Sequence, residues 1–173
     1  GVGEKMTEVA GEVCDGFFVH PFTTMRYLQE VTVPALLRGR AKAGREKLDD
    51  FAVCGPSFIT TGRTEEEMAE AVFGTKKQIA FYGSTPAYRG VLELHGWGDV
   101  QPELTALSKQ GRWDDMASLI TDEMLAEFSV VGTPEEVGRG LVEKIGGVYT
   151  RAALYTPYKI APETLQAVLE AAR

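Results

Sequence analysis

Cysteine and histidine are both scarce, with two of each in 173 residues. Cys14 and Cys54 stand far apart, with no CxxC pair and no neighbouring histidine, which excludes a disulfide framework and a zinc ligand set. Both are expected to be buried, reduced thiols. Positive charge is also in deficit: 18 Lys and Arg against 25 Asp and Glu leave a formal net charge of -7, so a nucleic acid would be repelled without a dedicated basic groove. The densest basic run, Arg38, Arg40, Lys42 and Arg45, reads as the solvated face and last turn of a helix. No apolar stretch approaches bilayer length, and the N-terminus lacks the charged-then-apolar plan of a secretion signal. A soluble cytoplasmic protein, with neither a membrane nor a nucleic-acid partner, is the expectation. An initiator methionine is missing too, and a chain opening on Gly1-Val2-Gly3 is expected to start within a longer protein.

What is present is ordinary globular material, 44% apolar and 25% charged. The length suits one domain with a continuous core. Met6, Val9, Ala10 and Val13 recur at helical spacing, and Asp15-Gly16 stops that helix before the apolar run Phe17-Phe18-Val19. Thr23 or Thr24 then caps a long helix that Pro34 should kink and Gly44 should end. Phe51 to Cys54 and Ser57 to Thr60 read as strand, interrupted at Gly55-Pro56. Thr64 with Glu67 reads as a capping box opening a helix that runs to about Tyr82. Residues 83–98 follow neither period and read as an excursion over a surface. Short helical patterns lead to Val130-Val131-Gly132, and Thr133-Pro134-Glu135-Glu136 is a second capping box. Arg151 to Thr156 is a last strand, and Pro162 opens a terminal helix.

Strands this short and apolar on both faces belong in a parallel sheet covered by helices. Three full strands are expected, with a remnant at Gly1-Val2-Gly3, too few to close an eight-stranded barrel.

Gly3-Glu4-Lys5-Met6, then Val9-Ala10-Gly11-Glu12 and Cys14-Asp15-Gly16-Phe17, resemble the luciferase-like monooxygenase superfamily. The block from Gln78 to Arg89, with Leu92-Glu93-Leu94-His95-Gly96-Trp97-Gly98, is similar to a subgroup of its coenzyme F420-dependent oxidoreductases from actinobacteria. Val131-Gly132-Thr133-Pro134-Glu135-Glu136 matches the superfamily's approach to its last helix and strand. The resemblance implies an α/β fold: the C-terminal part of a TIM (β/α)8 barrel of the bacterial-luciferase type, incomplete in this chain. Residues 1–173 would form one domain, and 83–132 a helical insertion between the last two strands.

It further implies coenzyme F420, with FMN as the alternative, at the C-terminal mouth of the barrel, and hydride transfer to or from a small organic substrate. Val2 and Gly3 would offer free amides at a helix start to a cofactor phosphate, or else form an ordinary strand-to-helix turn. Glu4 stands where the family usually has proline, a carboxylate that opposes phosphate unless turned away. Thr23 and Thr24 suit phosphate or ribose contacts and equally suit N-caps. His20 is the candidate for proton transfer or substrate polarisation, against plain packing beside Pro21. Tyr82, Tyr88, His95 and Trp97 would line a substrate pocket or pack a long loop. No metal ligands are expected. An open sheet leaves edges and an apolar interior uncovered, so a homo-oligomer or association with the remaining barrel half is expected. A non-catalytic half-barrel that binds cofactor or pairs with another chain is the alternative to an oxidoreductase, and the fragment alone is expected to be inactive.

Overall fold

The computed structural model describes residues 3–173. Its centre is β2 (Ala52–Thr61), flanked by three parallel strands: β1 (Gly16–Phe18), β3 (Ser129–Gly132) and β4 (Arg151–Tyr155). β1 pairs with residues 52–54 and β3 with residues 58–61 along one edge of β2, while β4 takes the other edge. The fold is therefore α/β with a parallel sheet. It has one strand more than expected, because the run after Phe128 pairs with the end of β2.

One sheet face carries Val53 and Ile59. Against it pack Leu36 of α3 (Val33–Lys42), Val137, Leu141 and Ile145 of α9 (Pro134–Ile145), and Val168 of α10 (Pro162–Ala171). α1 (Glu4–Val13) lies against α3, with Gly11 and Gly39 at the crossing; a Cβ on Gly39 would stand 1.9 Å from the Glu8 carbonyl oxygen. The other face carries Phe18, Cys54, Pro56 and Phe58, with Arg151, Ala153 and Tyr155 in register.

Five helices cover the C-terminal end of that second face: α4 (Glu65–Gly83), α5 (Arg89–Leu94), α6 (Val100–Lys109), α7 (Trp113–Ala117) and α8 (Asp122–Phe128). Their core joins Phe22, Phe58, Ile79, Leu92, Leu104, Met116 and Met124. The stretch 83–98, expected as an irregular excursion, is thus mostly helical. Its Val91 and Leu92 are buried in this core, a pattern too short to read by period. Among the described residues nothing covers the N-terminal end of the face: Phe18 is 65% exposed, and Ala52, Arg151 and Ala153 are exposed as well.

Several expectations need correction. β2 runs unbroken through Gly55-Pro56. Val19 N donates to the Cys54 carbonyl and Thr150 N to that of Val53, so even-numbered residues of β2 turn their backbone groups toward β1. Pro56, which has no N–H, therefore faces the gap between β1 and β3, where no partner strand asks for one. The kink at Pro34 takes the form of a π-helical turn, Leu28–Thr32, between α2 (Met25–Tyr27) and α3. Neither thiol is fully buried: Cys14 is exposed and Cys54 half-buried. Arg40 does not belong to a solvated face, being 2% exposed, with Nε donating to the Lys47 carbonyl, an ion pair to Asp50 and its guanidinium over Phe51. At Thr64 the hydroxyl caps Glu67 N as expected, but Glu67 reaches back to the amide of Arg63, so of the two expected boxes the reciprocal one forms at Thr133.

Candidate active site

The functional candidates gather where the parallel strands end, beneath the helical cover. Two residues past Phe18, His20 turns to the same face of the sheet and sits among tyrosines. Its ring lies 4.9 Å from that of Tyr82, edge-on, and 4.7 Å from that of Tyr88. Nδ1 accepts the amide proton of Phe22 at 3.1 Å; an amide can only donate, so the proton of the neutral ring resides on Nε2, which faces the Tyr88 hydroxyl at 3.4 Å. Burial lowers the His20 pKa from the usual histidine value, in accord with a neutral ring.

Thr24 is buried. Its hydroxyl caps α2 by accepting from Tyr27 N at 3.1 Å and lies 2.8 Å from His95 Nε2. His95 in turn stacks on Trp97 at 4.5 Å and 12°. The threonine expected at a cofactor thus ties the loop after β1 to the helical cover. Burial also lowers the His95 pKa.

Gly3, Glu4, Thr7, His20, Thr23 and Tyr88 line a second part of the site, a shallow cleft open to solvent. Gly3 caps α1 with φ 88°, a left-handed conformation that favours glycine, and a Cβ there would meet nothing within 4 Å. Thr23 is half-buried, and its hydroxyl makes one long contact, 3.4 Å to the Thr24 carbonyl. Glu4 pairs with Arg38, which neutralises the carboxylate that would oppose an anion here. The donor set of the cleft, first-turn amides of a ten-residue helix with one threonine hydroxyl, suits phosphate, which F420 and FMN share. Val2, expected beside Gly3, lies outside the described residues.

Two residues of this region escaped the sequence reading. Tyr155, the last residue of β4, places its hydroxyl 3.2 Å from that of Tyr82 and stacks its ring on Phe58 at 4.7 Å. Burial and then the Tyr82 hydrogen bond push its pKa well above the usual tyrosine value. The rule that pointed to His20, a polar residue at a strand's C-terminal end, also fits Tyr155. Lys144, half-buried, donates to the carbonyls of Ala126, Glu127 and Ser129 at 2.8, 2.9 and 3.1 Å and so caps the end of α8. Burial brings its pKa down to about 8. Nothing in the sequence separates it from a surface lysine. Among the described residues no group of three His, Cys, Asp or Glu side chains could hold a metal ion, and no helix is long and apolar enough to cross a membrane.

Polar side chains thus collect at the C-terminal ends of parallel strands, the position where α/β folds place their ligands. The chain matches luciferase-like monooxygenase over residues 1–151, and it belongs to that family. An uncharacterized protein of Mycobacterium tuberculosis is 53% identical over 150 residues, covering 87% of this chain and 44% of its own. The 5,10-methylenetetrahydromethanopterin reductase of Methanopyrus kandleri is 29% identical over 169 residues, covering 96% of this chain and 45% of its own. The solved structure of the coenzyme F420-dependent tetrahydromethanopterin reductase from Methanopyrus kandleri superposes with a TM-score of 0.71 at 23% identity, over 97% of this chain and 46% of that one. A likeness at that identity is one of fold. This chain spans about half the length of the curated relatives it matches.

Proposed function

We propose that this chain supplies the C-terminal half of the barrel of an F420-dependent oxidoreductase, which passes a hydride between the deazaflavin and a small organic substrate. The observation that carries the reading is the cleft joining Gly3, Thr23, His20 and Tyr88 at the strand ends, in a family whose named relatives include F420-dependent reductases. Bound there, the cofactor supplies the hydride chemistry. The first-turn amides of α1 and the Thr23 hydroxyl hold its phosphate, while Glu4, paired to Arg38, stays out of the way. His20, neutral with its proton on Nε2, offers that proton toward the pocket. Tyr82, Tyr88 and Trp97 exclude water around the substrate, and His95 holds Trp97 in place. FMN carries a phosphate too, so the two cofactors are separated by experiment. Titration of the full chain with F420, followed by quenching of cofactor fluorescence, should give saturable binding, with FMN at least tenfold weaker. Thr23→Val should weaken F420 about tenfold or more, the worth of one hydrogen bond to a charged group. Failure of both cofactors to bind sinks the proposal.

A second reading concerns partners. The uncovered end of the inner sheet face, with Phe18, Ala52 and Ala153 bare and Arg151 the charged residue in register with Cys54, is a surface that other polypeptide completes. Residues 1–173 alone should therefore self-associate in sedimentation, and a monomer at high concentration would count against this reading.

A further inference from the structure

The chemistry of the tyrosine cluster narrows the substrate, an inference that rests on the proposed reading of these aromatics as lining the substrate site. Three tyrosine hydroxyls and one imidazole come from four different segments: the loop after β1, α4, the turn before α5, and β4. Among the described residues none of these four polar groups hydrogen-bonds to an ionised side chain. His20 bonds to Phe22 N and Tyr88, and Tyr82 and Tyr155 bond to each other. The rings around them, Phe22, Phe58 and Phe128, are apolar and buried.

We propose that the Tyr82–Tyr155 hydroxyl pair is the polar anchor of the substrate pocket, and that it takes an uncharged oxygen, a hydroxyl or a carbonyl, in preference to a carboxylate, phosphate or ammonium group. Two phenols carry two hydrogens. One is spent in the bond between them, which leaves one hydrogen to donate outward and spare lone pairs to accept. A carbonyl uses the donor; a hydroxyl uses both functions. Neither partner needs a counter-ion. An ionised group brought to the same spot would lose water without meeting opposite charge, a penalty that a neutral phenol pair does not offset. Tyr155 is held for this task by its stack on Phe58, and Tyr82 by its place on the nineteen-residue α4. Both residues are half-buried where the C-terminal end of α4 meets the end of β4, so part of each is open to solvent.

The test uses the full chain labelled with fluorotyrosine, the signals of residues 82 and 155 being assigned through Tyr82→Phe and Tyr155→Phe, both of which keep the ring. Four probes of one shape are titrated: cyclohexanol, cyclohexanone, cyclohexanecarboxylate and cyclohexylammonium. The neutral pair should move both signals and bind at least tenfold more tightly than either ion. Each Phe variant should weaken the neutral probes about fivefold while leaving F420 titration unchanged. Equal binding of a charged probe, unmoved signals, or Phe variants that bind the neutral probes as before would overturn the proposal. The outcome is separable from that of the cofactor reading. If neither F420 nor FMN binds while cyclohexanol still moves the two signals, the cofactor assignment falls and the anchor stands; the reverse result does the opposite.

Discussion

The inner face of the sheet is one surface with two fates. At its C-terminal end Phe58 and Tyr155 lie under helices α4 to α8, packed with Phe22 and Phe128 and laced by the hydroxyls of the tyrosines. At its N-terminal end, one to three inward-facing positions away along the same strands, Phe18, Ala52, Arg151 and Ala153 meet solvent. Strand chemistry does little to distinguish the two ends; Arg151 apart, both offer largely apolar side chains at alternate positions. The difference lies in connection length. The chain between β2 and β3 is long enough to fold back as its own lid, whereas nothing in the described residues reaches the other end.

The comparison can be broken most sharply at its covered end. Phe58→Ala removes a side chain that is 1% exposed from that core, and should cost about 3–5 kcal/mol in denaturant unfolding. A loss under about 1 kcal/mol would mean that the helices do not pack as described. The lid's own integrity is next. Thr121→Ala removes the hydroxyl that caps α8 through Met124 N at 3.1 Å, and about 1 kcal/mol should go with it. Acid probes the covered end through its histidines. His20 and His95 both have pKa values lowered by burial from 6.5, so as pH falls below that value the unfolded chain takes up protons that the folded chain refuses. Stability should be full above about pH 6.5 and decline below it, and His20→Gln should reduce the slope of melting temperature against pH. A pH-independent melting temperature between 5 and 7.5 would contradict the lowered pKa values of these two half-buried rings. The smallest effect on stability is expected at the bare end. Phe18→Ser should change unfolding by no more than about 0.5 kcal/mol, yet reduce self-association in sedimentation. If Phe18→Ser proved as costly as Phe58→Ala, the two ends would not differ.

How legible this was in the sequence varied with the range of the interaction. Thr133-Pro134-Glu135-Glu136 specified its helix start because every atom of the box lies within four residues, and Phe17 and Val53 declared buried strand by their neighbours alone. His20 and Gly3 could be found from position after a strand or before a helix. Arg40 could not: a charge inside a basic run looks solvated until the loop carrying Lys47 and Asp50 folds over it. Thr24 was legible as a cap and also suggested a ligand contact, and only its bond to His95, 71 positions away, decided its surroundings. Tyr155 and Lys144 owe their settings to partners 73 and 15–18 residues distant, which no local pattern encodes.

Pro56 does more than survive in a strand. Were β1 to zip onward along β2 past Val19, the next two rungs of that parallel ladder would need the amide of Pro56 to reach Val19 and the amide of Pro21 to reach Pro56, and neither amide carries a hydrogen. The two imino acids face one another across the notch between β1 and β3, whose walls also include Thr23, Ser57 and Lys144. The notch is thus kept from sealing by covalent structure rather than by whatever fills it, and the loop bearing His20, Thr23 and Thr24 is released from the sheet at a fixed point in the chain.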